Sequence, residues 1–294
     1  MHGTPQIVAR GFTTPEGPRW WDGHLWFSDI FNGTVYSLAA SGELRVEVEQ
    51  DDEVSGLGFL PDGRLLFVSG RERRVLRREP DGRVVEHADL RKLAEGPCND
   101  MVVDGQGRAY VGNWGWNIEE QPLPPEPKPA APLILVAPDG SARPVGTPLE
   151  FANGTTISPD GKTLIVAETF ASRLSAFSIG PDGSLGDHRI WADTPVESPD
   201  GIALDAEGCV WVAMAFSGRA VRIAEGGEIR DSIDLPDFPG ILAVVLGGEK
   251  RRTLYMLTVA VKPEGTEEAQ RALHQSKDGA VVAVEVDVPG AGIP

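Results

Sequence analysis

Apolar and polar positions along this chain fall into short runs separated by glycine-containing turns, and one unit recurs. The unit opens on a residue at the mouth of a strand, runs through an apolar strand to a turn ending in Gly, and returns through a second apolar strand. Its copies begin EGPRWWDGHLWFSD at Glu16, SGLGFLPDGRLLFVSG at Ser55, NDMVVDGQGRAYVGN at Asn99, NGTTISPDGKTLIVAE at Asn153, DGIALDAEGCVWVAM at Asp200 and, more loosely, PGILAVVLGGEKRRTLYML at Pro239. From opening residue to turn glycine the step is seven residues in the first copy and eight in the next four. Further strand-like stretches follow each pair: TVYSL, RVLRR, LILVA, LSAFSI, AVRIA and AVVAVEV. Four strands in roughly 40–50 residues, repeated radially, is the pattern of a propeller blade. The expectation is an all-β, six-bladed β-propeller with four-stranded antiparallel blades, a single domain over residues 1–294.

Two segments depart from the repeat. QIVARGF precedes the first copy and is expected to pair with AVVAVEV near the C-terminus, which would close the last blade and protect its edge. Residues 118–132, IEEQPLPPEPKPAAP, carry six prolines from Pro122 to Pro132 and cannot supply a ladder of N–H donors. They read as a stiff extended loop and a candidate lid, with the third blade resuming at Leu133.

Register turns the repeat into a site. The opening residues occupy equivalent places in their blades, so Glu16, Ser55, Asn99, Asn153, Asp200 and Pro239 ring the axis. Clustered buried carboxylates repel and are costly to desolvate unless a cation joins them. The Glu, Asn, Asn and Asp of the ring offer oxygen ligands, a set suited to Ca²⁺, Mg²⁺ or Mn²⁺. The alternative is a solvated polar channel mouth. The second strand of each blade returns to the same face. Its following residues are therefore expected to wall the pocket: Asp29, Ile30 and Phe31; Arg71; Asn113, Trp114 and Trp116; Thr169 and Phe170; Phe216.

Other chemistries lack their residues. There is no GxSxG elbow, no GxGxxG and no GxxxxGK[ST]. The five histidines are scattered and none stands in the ring, which disfavours a His-rich zinc site. Cys98 adjoins Asn99 without a partner His. Asp104, Asp160 and Asp205 read as turn residues. A net charge of −17 argues against nucleic-acid and anionic-membrane partners. Two cysteines without a CxxC, no visible signal peptide and no apolar run long enough to span a bilayer together suggest a cytoplasmic protein with free thiols.

These motifs resemble those of the regucalcin (senescence marker protein)/gluconolactonase/luciferin-regenerating-enzyme-like family along nearly the whole chain. EGPRW at Glu16 is similar to the family's opening motif. FANGTTISPDGKTLIVAET resembles the motif of its metal-binding Asn, here Asn153. SPDGIALDAEGCVWVA resembles that of its metal-binding Asp, here Asp200. PCNDMVVDGQGRAYVG resembles its substrate-side motif, with Asn99. The resemblance implies lactone hydrolysis with one divalent ion, calcium foremost, or Zn, Mn, Fe or Mg. It places Glu16, Asn153 and Asp200 on the metal and Asp200 as the general base. Asn99, Asn113, Trp114 and Phe170 are the candidate substrate-binding residues. Sugar-lactone members carry an Arg two residues before the Asn of the substrate motif; Pro97 stands there instead. With the aromatics nearby, this points to a lactone or cyclic ester less polar than a sugar lactone. Two other readings share the site: another reaction on a cyclic ester or ether, and non-catalytic calcium-dependent binding.

Overall fold

The structure, a computed structural model, describes residues 2–117, 121, 124–194, 198–261 and 272–291. Among these lie twenty-four strands, β1 to β24 in chain order, in six four-stranded sheets. Five sheets each use four consecutive strands. The sixth takes β22 (Gly240–Gly247), β23 (Thr253–Val259), β24 (Gly279–Glu285) and, outermost, β1 (Gln6–Phe12). β1 and β24 pair antiparallel from Gln6 opposite Ala283 to Phe12 opposite Gly279, which is the expected closure of QIVARGF on AVVAVEV.

The innermost strands are β2 (Pro15–Trp21), β6 (Val54–Phe59), β10 (Cys98–Val103), β14 (Ala152–Ile157), β18 (Pro199–Leu204) and β22. Each touches the next and β22 returns to β2, so the six sheets stand as blades around one axis. Each blade is apolar on both faces, and the cores lie between neighbours. Phe12, Leu25, Phe27, Val245 and Leu257 fill the space between the sixth and first blades, and Leu66, Val68, Met101 and Val111 that between the second and third. The inner strands β6, β14, β18 and β22 are buried at every position.

Such close packing dictates the glycine that follows most ring residues. A Cβ on Gly154 would lie 2.5 Å from the Cα of Gly201, and one on Gly201 would lie 2.5 Å from the Cα of Ala243. Backbone cannot yield as a side-chain tip can, so the Asn-Gly and Asp-Gly pairs are geometric requirements of the narrow channel. In the third blade the equivalent position is Asp100, against whose Cα Gly56 packs.

One expected pocket wall is corrected here. Asp29 is fully buried, and its carboxylate accepts from the backbone N–H groups of Thr13 (3.0 Å) and Thr14 (2.7 Å) and from the Asn32 amide (2.6 Å). It ties the chain leaving β1 to the first blade and is not available to a ligand. The Pro-rich segment lies partly outside the described residues, at 118–120 and 122–123. Its remaining residues before β12 (Ala131–Val136) form no strand, as expected. Among the described residues no helix is long and apolar enough to cross a membrane.

Gly154→Ala is expected to destabilise by about 1–3 kcal/mol through overpacking. Gly105→Ala, where an added Cβ meets nothing within 4 Å, should stay within about 0.5 kcal/mol. Thermal melts of the two variants against wild type check this; equal melting temperatures would refute the close-approach argument.

Candidate functional site

The repeat register brings Glu16, Asn153 and Asp200 to the same end of the channel, near the starts of β2, β14 and β18. All three are more than nine-tenths buried. Burial first, then the negative charge of Asp100, pushes the Glu16 carboxyl above the ordinary carboxylate range. Asp200 is pushed up by burial, then by Glu16 and Asp100. Three carboxylates therefore crowd one end of the axis, and one cation answers them. Arg19 donates to Asp100 Oδ1 at 2.9 Å and to the Met101 carbonyl, with both members of the ion pair buried. Asp100 thus has a definite place: it is the counter-ion of Arg19, one layer below the ring.

The remaining pair, Glu16 and Asp200, makes no ion pair among the described residues, although the charge of Arg19 reaches Glu16. Glu16 Oε2 accepts from the Gly17 N–H at 2.6 Å. Asp200 Oδ1 is sealed from solvent and has no hydrogen-bond partner. The carboxylate is otherwise held by the Asn153 side chain and the Gly201 N–H; its one unpartnered oxygen, in the field of a second buried carboxylate, is a costly arrangement that a cation would relieve. Among the described residues no three His, Cys, Asp or Glu side chains gather to hold a metal ion. A site here would consist of two carboxylates and a carboxamide, a donor set that suits a hard divalent ion.

The orientation of the Asn153 amide follows from its neighbours. Thr169 donates its single hydroxyl proton to the Pro199 carbonyl at 2.9 Å, and a carbonyl can only accept. Toward Asn153, at 3.2 Å, the hydroxyl can then only accept, so the Asn153 NH₂ must face it. Oδ1 is left as the free oxygen. Thr169 carries an expected wall position in the sequence, but its function as the partner of Asn153 emerges only here.

Trp114 and Phe170 belong to one aromatic cluster that also holds Trp116 and Phe151. Ring centroids are 5.1 Å apart for Trp114–Trp116, 5.4 Å for Trp114–Phe151 and 4.8 Å for Phe151–Phe170. Phe151, two residues before Asn153 in the FANG motif, joins the cluster through the fold rather than through the repeat register. Lys128 Nζ stands 5.3 Å from the Phe170 centroid, and Trp116 Nε1 donates to the Gln121 carbonyl at 3.2 Å, so described parts of the Pro-rich segment lie against this cluster. Asn113 is buried with its amide engaged: Nδ2 donates to the Pro132 carbonyl (3.1 Å) and Oδ1 accepts from Gly115 N–H (3.1 Å). Asn99 is partly buried, its Nδ2 3.4 Å from the Ala152 carbonyl. Phe216 is 42% exposed. Phe31 packs against His274, ring centroids 3.6 Å apart and planes tilted by 33°. Arg71 pairs with Glu53 at 2.7 Å. Burial raises the Cys98 thiol to about 12, which keeps it protonated and inert at neutral pH. Asp104 and Asp205, expected in turns, do lie there, and each also holds a buried arginine, Arg108 and Arg222.

A family model described as the SMP-30/gluconolactonase/LRE-like region matches residues 14–260. The chain belongs to this family. A 6-deoxy-6-sulfogluconolactonase of Pseudomonas putida is 27% identical over 281 residues, covering 92% of this chain and 89% of that protein. The solved luciferin-regenerating enzyme superposes with a TM-score of 0.80 at 20% identity, covering 99% of this chain and 98% of that one. Regucalcin of Agrobacterium tumefaciens, a calcium-binding protein, superposes with a TM-score of 0.79 at 20% identity, covering 99% and 97%. At these identities the two solved structures bear on the fold alone, and both share the architecture of this family member.

Arg19→Met removes the partner of a buried carboxylate and is expected to cost about 3–5 kcal/mol of stability. The double variant Arg19→Met/Asp100→Leu should recover most of that loss, since no charge is then left unpaired. Denaturant unfolding of the two variants checks this, and a double variant no more stable than the single one would refute it.

Proposed function

We propose that this chain hydrolyses a lactone or a related cyclic ester at the carboxylate end of the channel, with Glu16, Asn153 and Asp200 holding one divalent ion, calcium foremost. The observation that carries the reading is the orphaned, solvent-sealed Asp200 Oδ1 beside a second buried carboxylate. Family membership supports the reaction, as does the name of the P. putida relative. The description of the Agrobacterium neighbour as calcium-binding favours the ion.

A bound ion supplies Lewis-acid polarisation of the lactone carbonyl. The chain's own residues do the rest. Asp200 takes a proton from a water as the water oxygen attacks the acyl carbon. The bond from acyl carbon to ring oxygen breaks, the proton passes to that oxygen, and the product is a hydroxy acid. Asn99, on the rim, orients the ester through its amide. Trp114 and Phe170 cover the apolar part of the substrate and keep bulk water from it, with the Pro-rich segment as a lid on that side. Asn113 acts by fixing the loop that carries Trp114. Pro97, in place of an Arg that would bind hydroxyls, makes the pocket better suited to an apolar or aryl lactone than to a sugar lactone.

Asp200→Asn keeps an oxygen ligand but loses the base, and kcat at saturating metal should fall at least about 10²-fold. Near-normal kcat under those conditions would remove Asp200 from the chemistry. A panel of lactones assayed with and without chelator also separates catalysis from calcium binding without turnover.

Thr169→Val deletes the acceptor that orients Asn153. Calcium affinity, measured by titration calorimetry, is expected to fall about 10–100-fold, while Thr169→Ser should restore it. Unchanged affinity in the valine variant would show that the Asn153 amide needs no such support.

An aryl or alkyl lactone should be turned over with higher kcat/KM than glucono-1,5-lactone, and Trp114→Ala should raise KM for the former more than for the latter. The reverse order of substrates would place sugar recognition elsewhere on the rim.

A further inference from the structure

The channel has a second end. Opposite the carboxylate ring, beyond the Arg19–Asp100 pair, lies a small cavity partly open to solvent. Arg19, Arg251, Thr156, Ile202, Leu246 and Ala291 are among its walls, and among the described residues no Asp or Glu lines it. Arg251 follows the tight turn between β22 and β23, with its backbone at φ 53°. The segment Pro289–Ala291 crosses this end of the channel. Gly290 N–H donates to the Arg251 carbonyl at 2.7 Å, Ala291 N–H to the Leu204 carbonyl at 2.9 Å, and Ala206 N–H to the Pro289 carbonyl at 2.8 Å. Gly290 packs beside the guanidinium: a Cβ there would lie 3.3 Å from Nε and 3.4 Å from Nη2 of Arg251. The arginine is held in place by its surroundings.

Its charge is unanswered. Arg19, Arg108 and Arg222, the arginines among the described residues that are more than nine-tenths buried, each hold a carboxylate: Asp100, Asp104 and Asp205. Arg251, half-buried, has no ion pair among the described residues, and its Nε–H is sealed from solvent without an acceptor. The Nε–H of Arg19 is likewise sealed and unpartnered. Two arginines, each with an Nε–H that finds no acceptor, thus line one cavity that no Asp or Glu among the described residues reaches. A desolvated cation is costly unless a counter-charge reaches it, and a guanidinium matches the oxygens of a planar or tetrahedral oxyanion. The net charge of −17 makes general attraction of anions unfavourable, so any binding must be local.

We propose that this far end of the channel is a binding site for a small oxyanion, carried by inorganic phosphate or by a carboxylate, with Arg251 as its charged ligand and Arg19 and Thr156 as neighbouring donors. The site is separate from the carboxylate ring and does not depend on the lactonase reading.

The test is titration calorimetry on metal-free protein at constant ionic strength, with sodium phosphate, sulfate and acetate as separate titrants. Wild type is expected to bind at least one of them saturably, and Arg251→Met at least 10-fold more weakly. Binding of phosphate and sulfate alone assigns a free tetrahedral anion; binding of acetate assigns a carboxylate. Arg251 has no ion pair to lose among the described residues, so Arg251→Met should melt no lower than wild type in the absence of these anions, which separates loss of a ligand from loss of fold. Arg251→Lys keeps the charge and should retain part of the affinity. Lack of saturable binding by wild type, or equal binding by Arg251→Met, would overturn the proposal. No lactone is turned over in these measurements, so their failure leaves the proposed reaction untouched.

Discussion

Six inner strands must approach one another around a narrow axis, and this single packing constraint organises the rest of the molecule. Where the backbones come closest a Cβ cannot fit, so glycine follows the ring residue in five of the six blades. The same approach forces the side chains just before those glycines into one small space. Glu16 and Asp200 are thereby held together in a region where burial and mutual repulsion both penalise their ionised forms. The fold tolerates this because hydrophobic contact between blades, distributed over six separate cores, is large compared with the penalty at one end of the axis. Strain of this sort at an otherwise well-packed axis is what a ligand site looks like before its ligand is considered.

The channel is electrically graded. Carboxylates gather at one end, the Arg19–Asp100 pair lies below them, and an uncompensated guanidinium stands at the far end. Propeller geometry makes this possible because every inner strand runs in the same direction along the axis. A residue's position along its strand therefore fixes its depth in the channel. Arg19 stands three positions after Glu16, and the charge changes sign between them.

Around the carboxylate end, polar side chains divide into those that face a ligand and those that build the wall. Asp29 and Asn113 resemble pocket residues by their place at the ends of second strands, yet both spend their hydrogen-bonding capacity on neighbouring backbone. Thr169 touches no part of the ring directly by charge, but its one proton, committed to the Pro199 carbonyl, decides which atom Asn153 presents. The aromatic cluster draws Trp114 and Trp116 from the third blade and Phe151 and Phe170 from the fourth, so that side of the pocket is built across a blade junction.

The repeat of apolar runs and turn glycines was enough to read blade number, strand order, the closing pair of β1 with β24 and the ring of Glu16, Asn99, Asn153 and Asp200. Those features depend on local periodicity and on register, which a linear string carries in full. The partners of Arg19, Asp29 and Asn153, the gathering of Phe151 with Trp114 and Phe170, and the solitary state of Arg251 could not be read that way. Each is a question of which atoms from distant stretches meet and of whether a hydrogen-bond donor finds an acceptor. Arg19 and Asp100 are 81 residues apart in the chain, and only the closing of the blades into a ring brings them within 2.9 Å.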